Sequence, residues 1–273
     1  MSVRTFEWVG SLAYLGSTPD LGTASIKLPE GSYTTLRTYG GNRAVRLGQH
    51  VERLRESAAL QGRPAVLKEE TVRLALGAAL RACGHPESRA RLTSAPGRLF
   101  VSVEPFAPLP ESLYRQGAAC ITRPGHRDSP RAKETRFIGA AAEAYRRLPP
   151  GVHEALLVNG DGALLEGLSS NLFAVVDGVL HTEESRALPG VTRSIVLDLA
   201  RAQLPVSGAP ARIDTLPQVS EAFITSASRG VLPVVRIDGR PLGDGRPGPV
   251  TRDLMERFAA LVEREAEEIS TAP

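Results

Sequence analysis

The chain has 273 residues, of which 42% are hydrophobic and 23% charged, so it can bury one large core or two moderate ones. Its net charge of +3 comes from arginines scattered among acidic residues, which argues against a nucleic-acid partner. No apolar run is long enough to span a bilayer, and no signal-peptide core follows the N-terminus. Cys83 and Cys120 lack metal-ligand spacing, so we expect reduced thiols in a cytoplasmic protein, with no metal site and no membrane partner.

Short apolar runs alternate with turn signals in the N-terminal part of the chain. Both helices predicted there end at a glycine that is followed closely by a proline. The predicted elements are, in chain order, strands at 6–9, 25–28, 33–39 and 43–47, helices at 49–60 and 68–83, and strands at 90–93 and 99–103.

A proline-rich segment at residues 105–110 is the predicted linker. It divides the chain into an N-terminal domain, residues 1–107, and a C-terminal domain, residues 108–273. Outside its central stretch, the second domain has a predicted strand at 117–122, a helix at 133–148 and an amphipathic tail helix at 250–269.

The C-terminal domain is organised around residues 154–197. Two hairpins are predicted there, because Asn-Gly-Asp-Gly at 159–162 and Asp-Gly at 177–178 each separate two short apolar runs. Glu-Gly-Leu-Ser-Ser-Asn at 166–171 forms a polar island between the hairpins, and Pro189 precedes an amphipathic helix. The four predicted strands are 155–158, 163–166, 172–176 and 179–182.

The polar island has the residue types of a binding site. A carboxylate, hydroxyls and an amide among core strands need partners, because burying them unpaired is costly. The N–H groups at the start of the following helix suit a phosphate. Together these features indicate a phosphorylated cofactor with a basic ring nitrogen. Two structural alternatives stay open from these features alone: Glu166 could end a strand at the surface, and residues 190–192 could be an ordinary capped helix start.

Five groups of residues in this stretch follow one another in a recognisable order: Glu154-Ala155-Leu156, Asp161-Gly162, Glu166-Gly167, Ser170-Asn171-Leu172-Phe173 and Gly190-Val191-Thr192-Arg193. In this order they resemble the class IV aminotransferases, the fold-type-IV family that depends on pyridoxal 5'-phosphate (PLP). The resemblance implies an α+β fold of two domains, an N-terminal α/β sandwich and a C-terminal barrel-like β domain with flanking helices. It also implies PLP at the domain interface and a homodimer.

Lys133 is the catalytic residue that the resemblance implies. The family's PLP-binding lysine lies about twenty residues before the Glu-Ala-Leu strand, and Lys133 precedes Glu154 by a matching distance. The chemistry needs an amine that is neutral near pH 7, which a low-dielectric pocket beside the cofactor favours. The structural alternative is a surface lysine at a helix start, although the chain has only two other lysines, Lys27 and Lys68.

Arg53 is the implied clamp of the PLP phosphate. It lies in the segment Leu47-x-x-His50-x-x-Arg53-Leu54-x-x-Ser57, which matches the family pattern. A planar guanidinium can bind a phosphate through two hydrogen bonds, which suits that role. The alternative is a solvated helix arginine. His50 is expected to be a packed, hydrogen-bonded residue and not a proton carrier.

The resemblance also assigns the remaining cofactor contacts. Glu166 is expected at the pyridine nitrogen, and Ser169, Ser170 and Asn171 along the ring. The N–H groups of Val191 and Thr192 are expected at the phosphate, together with the turn at Ser226 and Ala227. Ala227 aligns with the family's usual threonine, so Ser226 or Ser228 has to supply that hydroxyl, and the choice stays open.

The substrate-side residues depart from the commonest family pattern. Where many members have Tyr-Gly-Asp-Gly-x-Phe-Glu, this chain has residues 28–34, with Thr34 in place of the glutamate, and Ile138 replaces a tyrosine of branched-chain aminotransferases. Tyr33 and Arg37 are the candidate substrate contacts. We expect transamination between an amino acid or amine and a 2-oxo acid. The alternatives are an aminodeoxychorismate lyase, which releases pyruvate and 4-aminobenzoate, and a non-catalytic PLP-binding homologue.

Overall fold

The structure is a computed structural model that describes residues 2–269. The chain packs as two compact units. The described part of the first unit comprises residues 2–107, 132–142 and 262–269, and the second comprises residues 108–131 and 143–261. The first stretch ends where the sequence analysis divides the chain, and the assignment of two domains at that point stays a prediction.

The first unit is an α/β sandwich built on an antiparallel sheet of five strands in the order β2-β1-β6-β5-β3. Helices α2 and α3 cover the sheet, and their buried Leu54 and Leu76 join Leu36, Leu92 and Val101 of the strands in one core. The elements are β1 (Val3–Trp8), β2 (Leu12–Thr18), α1 (Leu21–Ile26), β3 (Ser32–Arg37), β4 (Arg43–Ala44), α2 (Leu47–Leu60), α3 (Glu69–Cys83), β5 (Ser88–Ala95) and β6 (Arg98–Pro105).

Two predicted strands of the first unit are wrong in type or length. Residues 25 and 26 of the segment predicted as a strand at 25–28 are the last two residues of helix α1, whose start Asp20 caps by accepting a hydrogen bond from Thr23 N at 2.8 Å. The return strand predicted at 43–47 is only two residues long. Arg46 has a left-handed φ of 53°, which ends the strand and lets α2 begin at Leu47.

The second unit contains a closed, barrel-like ring of strands. Along the sheet the order is β10-β13-β14-β7-β8-β9, and β9 pairs back with β10 to close the ring. The elements after β6 are α4 (Glu111–Gln116), β7 (Ala118–Pro124), α5 (Arg136–Arg146), β8 (Val152–Val158), β9 (Leu164–Gly167), β10 (Asn171–Val176), β11 (Val179–His181), α6 (Val191–Arg201), β12 (Val206–Ser207), a 3-10 turn (Leu216–Gln218), β13 (Val219–Ser226), β14 (Gly230–Ile237), β15 (Arg240–Pro241), α7 (Pro249–Glu265) and β16 (Glu267–Glu268).

The tail helix is shorter than predicted. Helix α7 ends at Glu265, and β16 then pairs with β4 in an antiparallel ladder. Two contacts explain the change. The Glu267 carboxylate accepts a hydrogen bond from Leu47 N at 3.3 Å, and Ile269 is fully buried in the core of the first unit. Within residues 2–269, no helix is both long and apolar enough to cross a membrane, and no group of three His, Cys, Asp or Glu side chains could hold a metal ion.

The ring brings two distant segments of sequence to the same end of neighbouring strands. Asn171, at the start of β10, is paired with Glu166 of β9 on one side and with Thr225 of β13 on the other. The polar island between the two hairpins therefore lies beside the turn that follows β13. The mixed α+β fold with a barrel-like sheet confirms the predicted fold class.

Candidate active site

The main chain at Lys133 is held in place from both sides within the first unit. Its N–H donates to Ser57 Oγ at 3.0 Å, and its carbonyl accepts from Tyr33 N at 2.9 Å. Its Nζ lies 4.8 Å from the centroid of the Tyr33 ring, within the range of a cation–π contact. Lys133 precedes α5 by three residues, so it lies in the loop before the helix and not at its first turn.

Arg53 is buried on α2, 7% exposed, and is not the solvated helix arginine of the structural alternative. It donates from its guanidinium to Thr34 Oγ1 at 2.7 Å, and the same hydroxyl lies 2.8 Å from Nδ1 of His50. Arginine can only donate, so the Thr34 hydroxyl is the acceptor of the Arg53 hydrogen bond. The Thr34 hydroxyl and Nδ1 of His50 share a second hydrogen bond, whose donor depends on the tautomer of the imidazole.

Two positively charged side chains, Arg53 and Lys133, lie near His50. His50 is 3% exposed, and its pKa lies well below its ordinary value. Burial is the main cause, and the charges of Arg53 and Lys133 add to it. His50 is thus the packed, hydrogen-bonded residue that the sequence predicts. The lysine and the arginine, distant in sequence, both lie near enough to this ring to disfavour its charged form, and such a region is suited to an anion.

The two predicted substrate residues have different surroundings on β3. Tyr33 is 8% exposed, and Arg91 lies over its ring, 4.7 Å from the centroid. Arg37 forms an ion pair with Glu87 at 2.9 Å and lies 3.9 Å from the centroid of the Phe106 ring. A carboxylate and an aromatic ring thus already engage the Arg37 guanidinium, and its role toward substrate stays a prediction.

Glu166 is buried in the second unit, so the surface-strand alternative is wrong. Its side chain is 2% exposed and Oε1 lies 2.9 Å from Nε of Arg127, whose side chain is 6% exposed. The other oxygen, Oε2, accepts from Leu188 N at 3.1 Å and lies 3.5 Å from Asn171 Nδ2. A buried arginine and a backbone N–H stabilise the ionised carboxylate, which is thereby held as a fixed acceptor.

Two glycines allow the close packing around this carboxylate. A Cβ on Gly167 would overlap with Ser170 Oγ and with the side chain of Glu154. A Cβ on Gly190 would overlap with Oδ1 of Asn171. These overlaps explain the Glu-Gly and Pro-Gly pairs in the sequence. They also let the start of α6 approach the polar island closely.

The N-terminus of α6 has the geometry of an anion-binding site. Gly190 is its N-cap, and no side chain in the described part of the protein caps the helix. The first N–H groups of a helix lack intrahelical acceptors and carry the positive end of the helix dipole. Val191 and Thr192, both 6% exposed, supply these groups, and their role toward a phosphate stays a prediction.

The serines of the polar island contact a second buried carboxylate. Ser170 Oγ donates to Glu154 Oε2 at 2.9 Å, and Arg229 donates to the same oxygen at 3.0 Å and to Ser169 Oγ at 2.6 Å. Arg229 Nε also donates to Ser226 Oγ at 3.2 Å, beside Ala227 in the turn after β13. The structure thus brings the predicted residues at 169–171 close to Ser226.

Sequence reasoning did not identify Arg127 or Arg229 as site residues. It named Glu154 as part of the family pattern but did not predict its buried hydrogen bonds. Thirty-three basic residues give no local pattern that singles out the two arginines. Glu154 carries the one available signal, since it begins an apolar strand and is 0% exposed in the structure. A carboxylate in that position needs a buried partner.

Comparison with known proteins places the chain in one family. The family model described as amino-transferase class IV matches residues 31–237. The chain therefore belongs to the class IV aminotransferase family, and it is an aminotransferase.

Its relatives carry related names. It is 28% identical over 249 residues to the Methanocaldococcus jannaschii protein named "Putative branched-chain-amino-acid aminotransferase", covering 84% of this chain and 86% of that one. It is 35% identical to D-alanine aminotransferase of Staphylococcus aureus over 113 residues, which is 40% of each chain. A solved branched-chain amino acid aminotransferase from T.th., with pyridoxamine 5'-phosphate, is 25% identical, with a TM-score of 0.80 over 99% of both chains.

Proposed function

We propose that this aminotransferase uses PLP to move an amino group between an amino acid and a 2-oxo acid. One observation carries the proposal. Burial lowers the pKa of His50 in the first unit, and the charges of Arg53 and Lys133, two residues that the family pattern selects, lower it further. Two cations around an uncharged imidazole repel each other, and a bound phosphate would relieve that repulsion.

The residues of both units fit the chemistry of PLP. In the first unit, Arg53 and Lys133 suit a phosphate and a carbonyl carbon, respectively. In the second unit, the uncapped start of α6 suits a phosphate, and Glu166 is a fixed carboxylate that can accept a hydrogen bond from a protonated ring nitrogen. Gly167 and Gly190 allow the side chains of the polar island to pack closely against the backbone, because a Cβ on either would overlap with Ser170 or Asn171.

PLP, when bound, supplies an electron sink for the pair of electrons left on the substrate α-carbon. The protein supplies the rest. Lys133 Nζ is the proposed covalent attachment point, and in turnover it is the base that takes the α-proton of the substrate. Arg53 would fix the phosphate, and Thr34 and His50 would orient Arg53. Glu166 would hold a proton at the ring nitrogen, and Arg127 would keep Glu166 ionised.

The substrate is proposed at the level of an amino acid donor and a 2-oxo acid acceptor. The relatives are named for branched-chain and D-alanine transamination, so both enantiomers belong in the test. The family resemblance also supports a homodimer in the cytoplasm as part of the proposal. Light scattering of the purified protein tests the dimer.

Reduction with borohydride and peptide mapping test the attachment point. We expect a reduced pyridoxyl group on Lys133 only. Lys133→Ala should lose covalent PLP and turnover, whereas the matched controls Lys27→Ala and Lys68→Ala should keep both. An adduct on Lys27 or Lys68 would contradict the assignment.

A panel of L- and D-amino acids, amines and aminodeoxychorismate, followed by the cofactor absorbance, tests the reaction. Conversion of an amino donor to its 2-oxo acid, with the absorbance change of an aminated cofactor, supports transamination. Release of 4-aminobenzoate and pyruvate without amino transfer would replace the proposal with a lyase. PLP binding without any reaction would replace it with a non-catalytic homologue.

A further inference from the structure

Arg229 is a heavily hydrogen-bonded side chain of the second unit that lies outside the family pattern. It follows the turn after β13 and donates to three groups: Glu154 Oε2 at 3.0 Å, Ser169 Oγ at 2.6 Å and Ser226 Oγ at 3.2 Å. Its own carbonyl accepts a hydrogen bond from Tyr114 OH at 2.9 Å. Both its side chain and its backbone are therefore fixed.

The carboxylate partner of Arg229 is completely buried. The Glu154 side chain is 0% exposed and that of Arg229 is 15% exposed. Glu154 also accepts from Tyr145 OH at 2.7 Å, Ser170 Oγ at 2.9 Å and Ala155 N at 3.1 Å. A buried ion pair stabilises only when its remaining lone pairs are satisfied, and here they are. The charge of Arg229 is thus fixed in position by a satisfied network.

The charge of Arg229 is also maintained despite its burial. Burial on its own would lower the pKa of the guanidinium, but the Tyr145 oxygen and the Glu154 carboxylate together raise it. The Arg229 guanidinium therefore donates at every hydrogen bond that it makes.

The hydrogen bonds to Ser226 have a direct consequence for its hydroxyl. Ser226 Oγ accepts from Arg229 Nε at 3.2 Å and from Arg229 N at 3.3 Å. A serine hydroxyl has two acceptor lone pairs and one proton. Since Arg229 occupies the acceptor side, the proton of Ser226 is directed away from it and is available to an anion.

Arg229 also joins the two segments that the proposed function assigns to the cofactor. Through Ser169 it reaches the polar island between β9 and β10, and through Ser226 it reaches the turn after β13. These segments are adjacent in the sheet, because Asn171 is paired with Thr225. One guanidinium therefore fixes their side chains relative to each other.

We infer that Arg229 is a positioning residue that orients the Ser226 hydroxyl as a hydrogen-bond donor to the cofactor phosphate. This inference rests on the proposed function. It selects Ser226 over Ser228 as the source of the hydroxyl that Ala227 cannot supply. It also gives Arg229, whose guanidinium donates to Glu154, Ser169 and Ser226, a role in phosphate affinity.

The test measures the affinity of the apoprotein for PLP and for pyridoxal, which lacks the phosphate. Ser226→Ala should weaken PLP binding about ten- to a hundredfold, the size of a lost hydrogen bond to a charged group, and leave pyridoxal binding unchanged. Arg229→Lys keeps the charge beside Glu154 but loses the planar set of guanidinium donors, and it should weaken PLP binding about tenfold. Ser228→Ala is the matched control and should behave like the wild type.

Combining the two substitutions separates positioning from a merely structural role. If Arg229 acts through Ser226, Arg229→Lys should have no further effect on PLP affinity in the Ser226→Ala background. A purely structural role would weaken PLP and pyridoxal alike and would persist in that background. Should Arg229→Lys not fold, Arg229→Gln with Glu154→Gln removes both buried charges together and takes its place in the cycle.

Three results would overturn the inference. They are equal loss of PLP and pyridoxal affinity, an unchanged PLP affinity in Ser226→Ala, and a loss in Ser228→Ala in its place. A wild-type protein that binds neither PLP nor pyridoxal would instead contradict the proposed function, so the two failures are distinguishable.

Discussion

Arg127 and Glu166 form an ion pair in the interior of the second unit, with 2.9 Å between Nε and Oε1 and exposures of 6% and 2% for the two side chains. Each charge thereby compensates the other, which lowers the free-energy cost of burying both side chains. The carboxylate proposed for the ring nitrogen of PLP is therefore also a structural residue. Its two roles can be separated experimentally, because one depends on charge balance and the other on the cofactor.

Glu166→Gln should reduce both stability and rate. Removing one member of a buried ion pair leaves the other charge uncompensated, which costs on the order of 3–5 kcal/mol in the free energy of unfolding. The amide also cannot hold a proton at the ring nitrogen, so the rate constant of α-proton removal should fall in single-turnover reactions. Urea unfolding of the apoprotein and stopped-flow absorbance of the PLP-loaded protein measure the two effects.

The double variant Arg127→Met with Glu166→Gln separates these effects. Removing both charges should recover most of the stability, because neither group is then left unpaired. The rate should stay low, since the carboxylate is still missing. Glu143→Gln on the surface is the control and should match the wild type in both measurements. A double variant that reacts at the wild-type rate would remove the cofactor role of Glu166.

Arg53→Lys should weaken PLP binding although the charge is kept. The lysine ammonium cannot reproduce the planar fork, and it cannot both bind a phosphate through two hydrogen bonds and contact Thr34 Oγ1, which Arg53 reaches at 2.7 Å. We expect about a ten- to hundredfold loss of affinity, equivalent to roughly 1.5–3 kcal/mol. Titration of apoprotein with PLP measures it.

Arg55→Lys is the matched control on the same helix. Arg55 pairs with the exposed Glu52 at 2.7 Å, and among the described residues it has no contact with Thr34 or His50. It should leave PLP affinity unchanged. Equal affinities of Arg53→Ala and the wild type would show that the phosphate is bound by other residues.

The sequence predicts the local parts of the candidate site well. The hairpins around Glu166 and Asn171 come from turn signals a few residues away, and the start of α6 comes from Gly190. Both are short-range features that the chain encodes directly. Strand β3 is predicted from its aromatic and β-branched residues, and helices α2 and α3 from apolar periodicity that extends over many residues.

Long-range pairing accounts for most of what the sequence does not predict. Arg127 reaches Glu166, and Arg229 reaches Glu154, only because the closed ring of strands brings separate segments together. Short elements are also weakly encoded. Four residues at 25–28 are too few to distinguish a strand from helix α1, whose start depends on the Asp20 cap. The strand β16 forms only because β4 offers it a partner.

His50 should make the apoprotein sensitive to mild acid. Its pKa is lowered in the folded state by burial and by the charges of Arg53 and Lys133. The pKa of His50 in the unfolded chain is about 6.5. Below that pH, His50 binds a proton in the unfolded chain but stays neutral in the folded protein. Stability is therefore full above about pH 6.5 and falls below it with a slope of about 1.4 kcal/mol per pH unit, until the folded pKa is reached.

Comparison of His50→Gln with the wild type isolates this contribution. The glutamine amide can still form a hydrogen bond with the Thr34 hydroxyl, but it has no proton to gain, so the variant should lose that slope in urea unfolding between pH 7 and pH 5. The exposed His126 gives the control, and His126→Gln should keep the wild-type slope. Parallel pH profiles of His50→Gln and the wild type would show that His50 is charged in the folded protein.

Gly190→Ala tests whether the close approach of α6 to the polar island matters for phosphate binding. The backbone there, with φ of −69° and ψ of 140°, suits alanine, so the substitution introduces no backbone strain. The added Cβ would overlap with Asn171 Oδ1, and that amide donates to Leu188 O at 2.7 Å. Either the helix start or Asn171 has to move, which costs about 1–3 kcal/mol in stability. The N–H groups of Val191 and Thr192 would move with the helix.

We therefore expect Gly190→Ala to lower both the free energy of unfolding and the affinity for PLP, with a smaller effect on pyridoxal, which lacks the phosphate. Gly160→Ala is the matched control, because a Cβ at Gly160 meets no atom within 4 Å. Urea unfolding and PLP titration of both variants make the comparison. If Gly190→Ala binds PLP as tightly as Gly160→Ala does, the start of α6 does not hold the phosphate.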